Sequence, residues 1–412
     1  MNEILIEKFA KVIVNIGVAL QEEQMLVVNA PLEAATLVKY IVKEAYEAKH
    51  SKKVIVNFSD ADVNKQEQLY ASQETLNDLP DYAIERSKYI VENGAAMLSI
   101  SSPKPGIMAG VDPTRMQIAS RVIAPKMAFF RKYTMENEGQ WCVVACPNDV
   151  WAKKIFPDLE VNEAVEKLWE AILYASHVSM DNDPVADWNK LNAELTKRNE
   201  ILNDYNFESL HFKNSLGTDL TIGLVENHIW AGGGEFSKKG VYFNPNIPTE
   251  ENFCMPHNKK INGVVVATKP LNYGGKLIED FSLTFKDGKV VDFDAKKEKE
   301  ALKSLIEFDK GSSSLGEVAL ISHDSPISNM NILFYNTLFD ENASCHLALG
   351  ASYTTTNLKD AEKYSEEELD ALGSNQSHTH VDFMFGSSDM EVTGLTHDGK
   401  VIQIFKNGNF VF

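Results

Sequence analysis

Gln24-Met25-Leu26-Val27-Val28-Asn29 is a short apolar run that leads into a helix-like stretch from Glu33 to Lys49, and Lys53-Val54-Ile55-Val56-Asn57-Phe58 repeats the strand texture. Ala96-Met97-Leu98-Ser99-Ile100 and the run from Gln140 to Cys146 add two more. Apolar runs separated by amphipathic helices are the sequence form of a mainly parallel sheet with helices on both faces, because each helix buries its apolar stripe against the sheet. Residues 1–180 therefore read as an open α/β N-terminal domain of Rossmann-like or flavodoxin-like character. Such a sheet invites a nucleotide reading, yet neither Gly-x-Gly-x-x-Gly after the first strand nor Gly-x-x-x-x-Gly-Lys-Ser/Thr occurs. The run Gly232-Gly233-Gly234 opens no helix pattern and reads as a turn, where glycine supplies positive φ.

Working outward, the pattern from Asn162 to Asp204 is helical and charged, and residues 181–206 read as a helical linker. After Phe207 the texture changes to short β-like segments. Leu220 to Val225 is one; Leu283-Thr284-Phe285 and Val290-Val291-Asp292-Phe293 flank Asp287-Gly288, a hairpin signal that Asp398-Gly399 repeats. Residues 207–412 are expected to form an α+β C-terminal domain. A chain of 412 residues exceeds the roughly 250–300 at which single cores stop growing, so two domains are expected on length as well.

The formal net charge of −19 repels phosphate backbones and argues against nucleic acid as a partner. No run approaches the roughly 18 apolar residues of a membrane span, and Asn2-Glu3-Ile4-Leu5 lacks the basic start of a secretory signal. A cytoplasmic protein that engages no membrane is expected. Cys142, Cys146, Cys254 and Cys345 show neither disulfide-framework nor zinc-ribbon spacing, and the first two, four apart in an apolar run, read as buried thiols.

Eight of the ten histidines lie at or after His211, so imidazole chemistry concentrates in the β-rich half. In an extended His380-Val381-Asp382 the imidazole and carboxylate share one face and can bind one ion or two adjacent ones; a buried His bonded to an Asp reads equally well. His378 falls on the same face and reads as a surface residue. Glu317 stands at the start of an apolar run, where an unpaired carboxylate costs several kcal/mol. Glu341 and His346, separated by small residues, can reach one centre from a turn. Singly each suits a cap or an ion pair. Together with a glutamate of the segment Pro248-Thr249-Glu250-Glu251 they make four carboxylates and two imidazoles, which suit two divalent ions of the zinc, cobalt or manganese type.

Asn-Ile-Pro-Thr-Glu-Glu at 246–251, Asp-Glu-Asn-Ala at 340–343 and His-Val-Asp-Phe-Met at 380–384 carry a resemblance to the thermophilic-type metalloaminopeptidase family, the aminopeptidase T, S and II type, over most of the chain. The resemblance implies metal ligands at Glu251, Glu317, Glu341, His346, His380 and Asp382, an active-site tyrosine at Tyr353, two divalent metal ions (zinc, cobalt, manganese or magnesium), and a homodimer enclosing a cavity for short peptides. His378 and Phe385 depart from the family pattern and bear on substrate preference.

On this reading the protein is a hydrolase of N-terminal peptide bonds that uses metal-activated water and requires a free N-terminus. A carboxylate outside the ligand set must carry the water's proton to the leaving amine, and Glu250 is the candidate, provided the backbone bends after Pro248. Tyr353 is placed to hydrogen-bond the oxyanion. The alternatives are another dinuclear amidohydrolase or phosphoesterase and, in a different class, a noncatalytic small-ligand or peptide-binding protein.

Overall fold

The computed structural model describes residues 2–274 and 276–412. The chain forms two compact units, Met1–Lys190 with Gly234–Pro248, and Leu191–Gly233 with Thr249–Phe412. The first is built on four parallel strands, β1 (Leu26–Pro31), β2 (Val54–Ser59), β3 (Ala96–Ser101) and β4 (Trp141–Ala145), in the order β2-β1-β3-β4. Central β1 pairs on both edges and is almost wholly buried, which is why Leu26-Val27-Val28 reads as a continuous rather than alternating apolar run. Edge strand β2 is only half-buried. The free edge of β4 is covered from within the unit: Val143 N–H donates to Pro245 O (2.7 Å) and Ile247 N–H to Val143 O (3.0 Å), which satisfies groups that an open edge would expose. Cys142 and Cys146 are buried thiols of this unit, as expected.

The second unit holds a nine-stranded sheet, in which neighbouring strands run antiparallel, and a four-stranded one. In the larger sheet, Lys276–Lys286 and Lys289–Lys297 form the hairpin expected at Asp287-Gly288, where both turn residues take positive φ. The smaller sheet is β5 (Asn252–Cys254), β6 (Leu315–Leu320), β7 (His346–Gly350) and β8 (His380–Met384), antiparallel in the order β8-β7-β6-β5. Its period of two separates two faces. Val318 and Leu320, Leu347 and Leu349, and Phe383 enter a core shared with Phe212, Phe281 and Leu283 of the larger sheet. Glu317, His346, His380 and Asp382 occupy the alternate positions and face the other way. Phe385, expected to bear on substrate preference, is instead buried in that core with its ring 5.2 Å from Phe212, and His378 is exposed with its N–H donating to Asp309. Among the described residues no helix is long and apolar enough to cross a membrane.

Candidate metal centre

The register of the small sheet explains how distant residues meet. Glu317 of β6 stands opposite Ala348 of β7, and Ala348 opposite Asp382 of β8, so the two carboxylates flank a methyl group in one cross-strand row. His346 is opposite Ala319 and Met384, and His380 opposite Gly350. Small residues at 348 and 350 leave the face open between the polar side chains. Phe253 of β5 pairs with Ala319, and Glu251, two residues earlier, approaches this same face from irregular backbone.

Two triads result, Glu251 with Glu317 and His346, and Glu317 with His380 and Asp382, each offering ligand atoms within 4.8 Å of one another. Glu317 belongs to both. Its Oε1 lies 3.1 Å from His346 Nε2, which is 3.4 Å from Glu251 Oε2; its Oε2 lies 3.5 Å from His380 Nε2, which is 3.3 Å from Asp382 Oδ1. The His380 ring is fixed from behind, its Nδ1 2.7 Å from the Ala351 carbonyl, the outer contact that sets tautomer and orientation in metal-binding histidines. His346 lacks that anchor: its Nδ1 is buried with no hydrogen-bond partner among the described residues. Glu341, on the turn Glu341–Ala343, joins neither triad, but its charge interacts with Glu251 and Asp382. Carboxylate oxygen and imidazole nitrogen together are the donor set of zinc, cobalt and manganese sites, so the residues present fit a divalent ion.

Crowded acids in a buried place hold protons when no cation shares the site. Burial, and after it the charges of Glu317 and Asp382, push Glu251 up to about 8 against the pull of His346. Burial and the carboxylates of Glu251 and Asp382 raise Glu341 well above the usual range. For the histidines burial acts downward, but the surrounding carboxylates outweigh it, taking His346 to about 10 and His380 to about 9. Burial would raise Asp382 too, yet His380 and His346 hold it below its ordinary value. The Tyr353 ring packs on His380 with centroids 4.4 Å apart. The residue is 45% exposed, but desolvation of its hydroxyl and then the charges of Glu317 and Asp382 hold the phenol far above its ordinary pKa, so it remains a donor. Glu250 is buried on the irregular segment before β5, where the chain bends at 247 and 248, and its N–H donates to Asn342 Oδ1 (2.8 Å).

A sequence model of the thermophilic metalloprotease (M29) family matches residues 2–410. The chain belongs to that family. Among its M29 relatives, aminopeptidase 2 of Geobacillus stearothermophilus is 45% identical over 409 residues, covering 99% of this chain and 98% of that one. Aminopeptidase AmpS of Bacillus subtilis (strain 168) is 43% identical over 404 residues, covering 98% of each. The structure titled wild-type AmpT from Thermus thermophilus superposes with a TM-score of 0.90 at 35% identity over the full length of both chains.

Within this M29 chain the glycine run at 232–234 has a role that its sequence did not disclose. Gly232 lies at φ +144, and a Cβ there would fall on the carbonyl of Glu251. Ala231 and Phe253 exchange backbone hydrogen bonds of 3.0 and 2.8 Å, and Asn252 Nδ2 donates to Leu195 O (3.0 Å). These contacts fix the backbone that presents Glu251. The run is a bend with positive φ at Gly232 and Gly233, Gly232 lies against the Glu251 backbone, and nothing local in a glycine triplet marks what approaches it.

Proposed function

We propose that this metalloaminopeptidase removes N-terminal residues from short peptides by metal-assisted hydrolysis, and that Glu251, Glu317 and His346 would hold one divalent ion and Glu317, His380 and Asp382 a second. The observation that carries the reading is the splitting of Glu317, one carboxylate oxygen toward His346 and Glu251, the other toward His380 and Asp382. Membership in M29 makes the chain a metalloprotease, and similarity over its whole length to proteins named aminopeptidases makes it a hydrolase of peptide N-termini. When bound, divalent ions would supply Lewis acidity that lowers the pKa of a water and polarises a carbonyl. Glu251, Glu317, His346, His380 and Asp382 would hold them, with Glu341 completing the set. Glu250 accepts the water's proton and returns it to the leaving amine. Tyr353, protonated in this field, donates to the carbonyl oxygen as negative charge develops there.

In the same reading the metal is zinc, cobalt, manganese or magnesium, the protein is a cytoplasmic homodimer, and catalysis belongs to the C-terminal part, where the unit of Leu191–Gly233 and Thr249–Phe412 carries every proposed ligand. The test is reconstitution. Metal-stripped protein titrated with each ion should regain hydrolysis of aminoacyl amides as occupancy approaches two ions per chain, and N-acetylated peptides should not turn over. Full activity without metal, or saturation at one ion, would remove the two-ion centre; turnover of acetylated substrates would favour a general amidohydrolase.

A further inference from the structure

Beside the ligand row lies a cavity of about 70 Å³ whose walls include Leu271, Leu333 and Met384 and the carboxylates of Asp340, Glu341 and Asp382; among the described residues no cationic side chain lines it. We infer that this cavity receives the side chain of the peptide's N-terminal residue and selects short aliphatic chains, with Met384 setting its depth. The inference rests on the aminopeptidase reading.

Position is the first reason. On β8 the side chains of His380, Asp382 and Met384 project to one face, so Met384 continues the line of proposed ligands and stands opposite His346 across the sheet. A side chain lodged against Met384 is next to the reacting carbonyl. Charge is the second. Of its carboxylates only Asp340 lies outside the proposed ligand set, with the charge of Lys269 acting on it, and a free α-carboxylate finds no cation in the lining, which favours the N-terminal side of the scissile bond. Asp340 belongs to neither triad. Its Oδ1 accepts from Phe334 N–H (2.7 Å) and its Oδ2 from Asn336 N–H (3.0 Å), which ties the loop bearing Leu333 to the residue next to Glu341. Tyr335 in that loop holds φ +55, a conformation costly for a bulky residue and kept only where the surroundings fix it. The wall is therefore rigid enough to discriminate. Size is the third. The cavity is about half the roughly 150 Å³ that admits benzene, so it suits a short aliphatic chain better than an aromatic ring.

The experiment compares alanyl, valyl, leucyl and phenylalanyl amides on the metal-loaded protein, alongside calorimetric titration with free L-leucine and L-phenylalanine. The native protein should favour the aliphatic amides over phenylalanyl by at least about tenfold, the lower end of the discrimination a pocket gives by size. Met384→Ala should raise phenylalanyl relative to leucyl kcat/KM by about tenfold, and Leu333→Phe, from the loop wall, should lower leucyl relative to alanyl by a similar factor. Binding of the two free amino acids should shift in parallel, so a variant with altered metal content can still be read. Equal native rates for leucyl and phenylalanyl amides overturn the size argument. Unchanged ratios in both variants, with activity retained, overturn the pocket assignment. If no amide is hydrolysed while amino-acid binding shifts as stated, the hydrolase reading fails and the pocket stands.

Discussion

At the residue scale, the ligand candidates were legible wherever a polar group interrupted an apolar alternation. Glu317 before Val318-Ala319-Leu320 and the His380-Val381-Asp382 pair announced themselves because burying such groups needs a partner. Gly232 did not, since its role depends on the approach of Glu251 from another part of the chain. Gly232→Ala should set a methyl against the Glu251 carbonyl at a φ that alanine resists, so metal occupancy and activity should fall together, each by tenfold or more, measured by elemental analysis beside kcat. Normal occupancy in that variant would mean the Glu251 backbone is not held from Gly232. Glu250 and Glu251 were indistinguishable in sequence. Glu251→Gln should lose metal and recover partly in excess metal, whereas Glu250→Gln should keep its metal and lose about 10²–10⁴ in kcat, as removal of a proton shuttle does. Loss of metal from Glu250→Gln would end the shuttle assignment. Tyr353→Phe keeps the ring against His380 and removes only the hydroxyl; kcat should drop about 10²–10³ with metal content unchanged, and an unaltered kcat would leave Tyr353 a packing role.

At the scale of elements, the hairpin at Asp287-Gly288 was readable because its turn chemistry is local, whereas β5, three residues long, gave too short an alternation to register. The pairing of β6, β7 and β8 joins segments far apart in sequence, and no local pattern states which row meets which. That register makes Ala348 informative: its methyl stands between Glu317 and Asp382, and its strand is buried throughout. Ala348→Leu should project an isobutyl group into the space between the triads. Far-UV circular dichroism should stay native while bound metal drops toward one ion or none, with kcat falling in proportion. Retention of full metal content would show that the row is more open than the register implies.

For the whole molecule, the parallel sheet of the first unit and the antiparallel sheets of the second were legible as a change of texture near Phe207. The return of Gly234–Pro248 to the first unit was not, because an excursion of fifteen residues carries no compositional boundary. Each unit has apolar strands of its own, so metal removal should leave the protein folded, unlike a small zinc domain whose core is the metal. Its effect on stability should depend on pH with a definite sign. Without metal, His346 near 10, His380 near 9 and Glu251 near 8 all hold protons more tightly than in an unfolded chain. The folded metal-free state then binds more protons than the unfolded state between the ordinary values of these groups and their raised ones, so its stability falls as pH rises through that window. A divalent ion must displace the same protons, and its affinity rises with pH over the same range. These are two sides of one proton linkage, and it enlarges the metal-induced gain in Tm on going from pH 6 to pH 8. Thermal melts of stripped and reloaded protein at fixed free metal measure that gain, and calorimetry in buffers of different ionisation enthalpy counts the protons released. A gain that is constant or shrinks toward pH 8, with no proton release, would mean that the cation does not bind at these imidazoles and carboxylates.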